Sequence, residues 1–260
     1  MRVVLHRAGK SLDLTAPPFW LEGLAGVGGS ALTVHTTQGA EQHGATFQTF
    51  RLRARTILLS VGFLANTFDE YLEHRRQLLA FLTPWGDALE LEVAHNDSTY
   101  RIGVRLAEGI DMPTADKAGF SQRVGISLLA PDPLWYRLPA LTLFALSDYG
   151  TGSFAVPTAV PSAVGTDRLD SELVINYPGD APSYPQLRLH GPLTDPVITH
   201  LQTGAKLDFT GTTIASSDWY EIDCRFGYKT VVDSAGNSRL SQLTDDSDLG
   251  SFSIRPHPEV

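Results

Sequence analysis

The sequence predicts a mainly β protein of two domains: an N-terminal β-sandwich-like domain with one α-helix, then a C-terminal antiparallel β-sandwich. Three observations predict it. From about Asn176 to Ile254, short alternating segments are cut at close intervals by Pro and Gly, the rhythm of a small antiparallel sandwich. Earlier in the chain, Thr67 to Leu82 joins a capping signature to helical spacing. Between these, residues 138–170 turn rich in small, polar and breaker residues. The expected division is 1–137 for the first domain, 138–170 for a linker or extended arm, and 171–260 for the second.

The elements of the first domain follow in order. Arg2 to Leu5 and Leu12 to Leu14 form a short hairpin around Gly9-Lys10. Phe19 to Gly29 enters a glycine-rich loop, and the β-branched run Leu32 to Thr37 follows it. Thr46 to Phe63 alternates, with Arg51, Arg53 and Arg55 on one face; Ile57, Leu59 and Val61 then share a face after a shift of phase. The stretch is long for one strand, so a bulge or turn is expected near Arg55-Thr56. In Thr67-Phe68-Asp69-Glu70 the hydroxyl can accept from the N–H three residues on, while Glu70 reaches back. Phe68, Tyr71, Leu72, Leu78, Leu79 and Leu82 are expected to form one apolar stripe, and Thr83-Pro84 ends the helix. Leu89 to Val93 and Tyr100 to Val104 pair across the turn His95 to Ser98, and Val124 to Leu129 is a further strand. Leu141 to Leu146 is an expected strand near the linker.

In the second domain Leu187/Leu189, Leu207/Phe209, Tyr220/Ile222/Cys224 and Phe252/Ile254 each supply one alternating face. Asp233 to Asn237 is a turn. Cys224, the single cysteine, excludes an intrachain disulfide and reads as a small buried hydrophobe.

Composition excludes several classes. A hydrophobic fraction of 42% and a charged fraction of 19% are globular values. No apolar run reaches membrane-span length, so no membrane role is expected. The net charge of −9 lacks the basic footprint of a specific nucleic-acid binder, and acidic walls would let a polyanion pass without sticking.

Catalytic and cofactor motifs fail on context. Gly26 to Ala31 fits a dinucleotide pattern, but a β-branched run follows where the helix should open. Asp245 to Gly250 lacks the late bidentate glutamate of a calcium loop. The histidines show no zinc spacing, and no G-x-S-x-G elbow is present. Glu90 and Glu92 share one face of a strand rather than facing across a cleft. No enzyme, metal or cofactor is expected. Trp219 and Tyr220 lie in tandem, so one of them faces outward from a regular strand. An exposed ring there could stack on a sugar, or pack against a loop or partner.

The order of these features resembles the distal tail proteins of long-tailed phages. In the first domain the resemblance rests on Gly23 to Gly29, Arg51 to Arg55, Thr67 to Leu82, and Ser127 to Trp135 with its Asp132-Pro133-Leu134-Trp135 end. In the second it rests on Tyr184-Pro185, Gly191-Pro192, Asp195-Pro196-Val197-Ile198, Thr203-Gly204 and Ile222-Asp223. Chains of that family usually run on through a proline-glycine turn into a last strand. This sequence stops at Val260, so its sandwich is expected to lack that strand.

The resemblance implies a virion protein of the tail tip, made in the host cytoplasm. It implies a belt domain that forms a hexameric ring and an outward galectin-like sandwich. The partners it implies are the major tail tube protein above, the tail hub or fibre and receptor-binding proteins below, and the tape measure protein and DNA in the lumen. A head-to-tail ring needs two different complementary faces on each subunit. Arg51, Arg53, Arg55, Arg75 and Arg76 are the expected subunit contacts, since arginine suits such interfaces. Trp219 and Tyr220 are the expected sugar or partner contacts, and the alternative function is a carbohydrate-binding module or adhesin.

Overall fold

The computed structural model describes residues 1–112, 117–140 and 172–256. The chain divides into two compact units, Met1–Phe144 and Ala145–Val260. All of the expected linker after residue 140, with the strand expected at Leu141 to Leu146, lies outside the described residues. Strands dominate the described chain, as the sequence predicts for a mainly β protein.

In the first unit the strands are β1 (Arg2–Arg7), β2 (Lys10–Asp13), β3 (Phe19–Ala25), β4 (Leu32–Thr37), β5 (Thr46–Leu52) and β6 (Arg55–Leu64). After the helix α1 (Phe68–Phe81) come β7 (Leu89–His95), β8 (Ser98–Leu106), β9 (Lys117–Ala118), β10 (Ser121–Ala130) and β11 (Tyr136–Leu138). Nine of them form a sheet in the order β2-β1-β7-β8-β10-β6-β3, with β11 on β8 and β9 on β10. β8 meets β10 over only two rows, Leu106↔Leu128 and Arg105↔Leu129. Residues from both sides of that junction converge on one core: Val3, Leu5 and Leu91 from one side, Ile57, Val61 and Ile126 from the other. Alternation produces this, since every second residue of β6 and β10 is buried, with Gly62 of β6 buried as well.

α1 starts where the capping signature places it. Thr67 Oγ1 accepts from the Glu70 N–H at 3.2 Å. The Glu70 carboxylate accepts from the Asn66 N–H at 2.8 Å, one residue further back than a standard capping box. That bond, in the positive field of the helix start, holds Glu70 below the usual carboxylate range. The single apolar stripe expected along this helix is in fact two. Tyr71, Leu78 and Leu82 are buried, whereas Phe68, Leu72 and Leu79 are exposed. Positions 71, 78 and 82 repeat at seven and four residues and share the core side; Leu72 and Leu79 sit a seven-residue step apart on the neighbouring side.

In the second unit β12 (Gln186–His190), β17 (Trp219–Asp223) and β18 (Thr230–Asp233) form one sheet in the order β12-β17-β18. β13 (Leu193–Thr194) pairs β16 (Thr213–Ile214), and β14 (Val197–Thr199) pairs β15 (Lys206–Asp208). Leu207, Phe209, Ile222, Cys224 and Val231 are fully buried between them. Burial pushes the Cys224 thiol up to about 11, as a packed hydrophobe requires. Near the end of the described chain, Ser183 and Ile254 exchange two backbone hydrogen bonds of 2.8 Å, and Phe252 joins the core.

The turn expected at Asp233 to Asn237 is organised by the Asp233 carboxylate. It accepts from the N–H groups of Asn237 at 2.8 Å and Ala235 at 3.0 Å. The side chains of Asn237 and Arg239 donate to it as well, at 3.1 and 2.9 Å. With the Asn237 N–H contributing most, these donors hold Asp233 down at about 2.

Candidate assembly surfaces

One element of the first unit stands apart from the main sheet. β4 and β5 pair only with each other among the described residues, and every residue of both strands is exposed. The register gives this hairpin two unlike faces. Leu32 lies opposite Leu52 and Val34 opposite Phe50; then the register shifts after His35↔Thr49, and Thr36 lies opposite Phe47. Residues three apart on a regular strand point to opposite sides. The extra residue at Gln48 therefore carries Phe47 to the side of Phe50. Leu32, Val34, Phe47, Phe50 and Leu52 thus share one face, and each is at least 40% exposed. Thr33, His35, Thr37, Thr46, Thr49 and Arg51 form the other face.

The hairpin is rooted by Arg55. This residue is 8% exposed and has no carboxylate partner among the described residues. Its guanidinium donates to the Pro133 carbonyl at 3.0 Å, to the Gly26 carbonyl at 2.9 Å, and to the Gly28 carbonyl. Burial without an anion pushes its pKa below the ordinary arginine value. Arg53 N–H donates to Ala31 O at 2.8 Å and Ser30 Oγ to Arg53 O at 3.1 Å, closing the base. Gly26 has φ +82°, and a Cβ there would fall 2.1 Å from the Thr56 carbonyl oxygen, so only glycine fits.

Arg51, Arg53 and Arg55, expected on one face of a strand, are therefore not on one face. β5 ends at Leu52 and β6 begins at Arg55, so the break falls at Arg53-Ala54, slightly before the expected point. Arg51 is exposed on the polar face of the hairpin, Arg53 is exposed at its base, and Arg55 is spent inside on carbonyls. On α1, Arg76 is exposed and Arg75 half-buried. None of Arg51, Arg53, Arg75 and Arg76 has an ion-pair partner among the described residues. Arg101, by contrast, forks onto Glu90 and Glu92 at 3.0 and 2.8 Å, which uses up the carboxylate pair noted in the sequence.

A second apolar surface lies on α1. Leu72 and Leu79 are exposed at 46% and 39%, and Leu79 continues into an open groove with Leu82, Pro84, Leu106, Ala107 and Ile110. Trp85, just beyond the helix, is 90% exposed. Sequence reasoning pointed to this strand and this helix through their arginines and missed their apolar faces. The available signals were the three-residue spacing of Phe47 and Phe50, and the pairing of Leu72 with Leu79 apart from the core positions.

In the second unit the tandem aromatics separate. Tyr220 is 4% exposed and packs edge-on against Phe209 at 6.1 Å. Trp219 is half-buried, and the Arg188 guanidinium lies 4.3 Å over its ring while pairing with Glu221. Tyr220 thus has no face for a sugar, and one face of Trp219 is already covered.

The architecture was compared with solved structures. The crystal structure of SPP1 Dit (gp 19.1), described as a paradigm of the hub adsorption apparatus in phages infecting Gram-positive hosts, superposes with a TM-score of 0.62. The match has 16% identity and covers 98% of this chain and 90% of that one. This chain has the Dit fold. A chain of the phage P2 baseplate, in its activated conformation with Ca, gives a TM-score of 0.52 at 11% identity, covering 99% and 87% of the two chains. The same baseplate with Sr gives 0.51 at 11% identity. No family model and no curated protein matches the sequence. At such identity the Dit fold is kept by alternation, caps and turn residues, which many sequences satisfy.

Proposed function

We propose that the chain is a structural subunit of a phage tail tip, without catalytic activity. Six copies form a ring that joins the tail tube to hub or fibre proteins, and its lumen passes the tape measure protein and then DNA. The observation that carries this reading is the likeness to SPP1 Dit, which extends over both units rather than one. The exposed apolar hairpin and helix surface agree with it, since a subunit that works alone would bury such area. The net charge of −9 suits a wall along which DNA must slide.

Gold-labelled antibody against the chain, applied to phage particles that carry its gene, tests the location. Label at the distal end of the tail is expected. Label confined to the head, or absent from intact virions, contradicts the proposal.

A further inference from the structure

The hairpin and the α1 groove belong to each other, but on different copies. We propose that the apolar face of β4–β5 in one subunit covers Leu72, Leu79 and the groove beside them in the next. This inference rests on the ring reading and names its contact.

Four observations carry it. A lone two-stranded hairpin is marginal in water, so one with five large apolar side chains on a single face requires a cover. It does not use the groove of its own subunit, because its apolar face stays at least 40% exposed. The two surfaces differ in shape, one a flat two-stranded ribbon and the other a helix flank with a groove, and a head-to-tail ring requires unlike partners rather than a self-matching patch. Their places in the fold also agree. Leu106 of the groove, Leu128 and Ile57 lie in one row across β8, β10 and β6, two residues from Arg55 at the hairpin root. Root and groove therefore sit at one end of the sheet. Neighbours in a closed ring are related by rotation alone, so a projection and a recess at one level of the subunit can meet without tilting either.

Charge is consistent with the same pairing. From Ser30 to Ala54 the hairpin and its loops carry Arg51 and Arg53 against the single acid Glu41. The first half of α1 carries Asp69, Glu70 and Glu73, and Arg75 and Arg76 follow in its second half, so the charge match is confined to the start of the helix. Arg55, bonded to three carbonyls, fixes the direction in which the hairpin leaves the domain, so the projection is aimed before it meets its neighbour.

Two measurements on the full chain test the proposal. The first replaces both aromatics by serine, Phe47→Ser with Phe50→Ser, and follows native mass against concentration. A loss of assembly by at least about tenfold in concentration is expected, with the thermal midpoint of the subunit nearly unchanged, because both residues face solvent. The second introduces cysteines in pairs, Phe50→Cys with Leu79→Cys and Val34→Cys with Leu72→Cys, joined by a short bismaleimide. Native Cys224 is buried and its thiol is held protonated, so it leaves the assay clean. Covalent ladders that end at six copies support the proposal; single-cysteine variants should stay unlinked. If the double serine variant assembles like the parent, and the pairs do not link within an intact ring, the contact is overturned while the ring reading stands. A parent chain that never assembles overturns both.

Discussion

Two hairpins of the first unit have nearly the same local chemistry and opposite fates. β7 and β8 alternate apolar and polar residues, as β4 does and as β5 does on either side of its register shift. β7 lies between β1 and β8, so Leu89 and Leu91 are buried and the outward Glu90 and Glu92 are held by Arg101. Among the described residues β4–β5 has no third strand, and its apolar face is open. Alternation shows that a strand has a dry side; it does not show whether the drying surface belongs to the same chain. An amphipathic hairpin without a local partner is what a subunit presents when part of its core lies in its neighbour.

Substitutions in the two hairpins should diverge accordingly. The largest effect is expected at the root: Gly26→Val needs a left-handed backbone and puts Cβ onto Thr56 O, so the first unit should lose at least about 3 kcal/mol, read by chemical denaturation. Leu91→Ala, in the covered hairpin, should cost about 3 kcal/mol through its cavity. Arg55→Met should cost about 2 kcal/mol, by leaving three carbonyls without their donor. Arg55→Lys should recover only part of that, since one ammonium cannot copy the guanidinium fork.

The second unit supplies a control that owes nothing to the hairpins. Asp233 is held at about 2 against an ordinary 3.8, so its contribution is complete above pH 3.8 and is lost as pH falls through 2. Asp233→Asn should flatten the acid limb of the stability curve of the second unit and leave that of the first unchanged. The smallest effect belongs to the open hairpin: Phe50→Ala should change the stability of the isolated subunit by no more than about 0.5 kcal/mol. Equal losses for Leu91→Ala and Phe50→Ala would break the comparison.

Much of the fold was legible because it is local. The Thr67 and Glu70 cap, the Asp233 turn, the β7–β8 hairpin and the burial of Cys224 each depend on a few neighbouring residues and a period. Arg55 was misplaced because its alternation with Arg51 and Arg53 is real in sequence; the chain breaks at Arg53-Ala54, and Gly26 and Pro133 supply its acceptors from far away. The helix stripe was read as one because period alone does not separate core-facing positions from those at a groove margin. The tandem aromatics were read correctly as one in and one out, but Arg188, which covers a face of Trp219, comes from β12. The candidate assembly surface was least legible, since the register shift at Gln48 that unites Phe47 with Phe50 is a property of pairing rather than of composition.

The open hairpin, in the proposed ring, marks a subunit built to be covered by its own kind. Native mass spectrometry of the purified full chain at micromolar concentration tests it most directly. A closed species of six copies is expected, whereas a chain that remains monomeric as the concentration is raised would contradict the proposed contact.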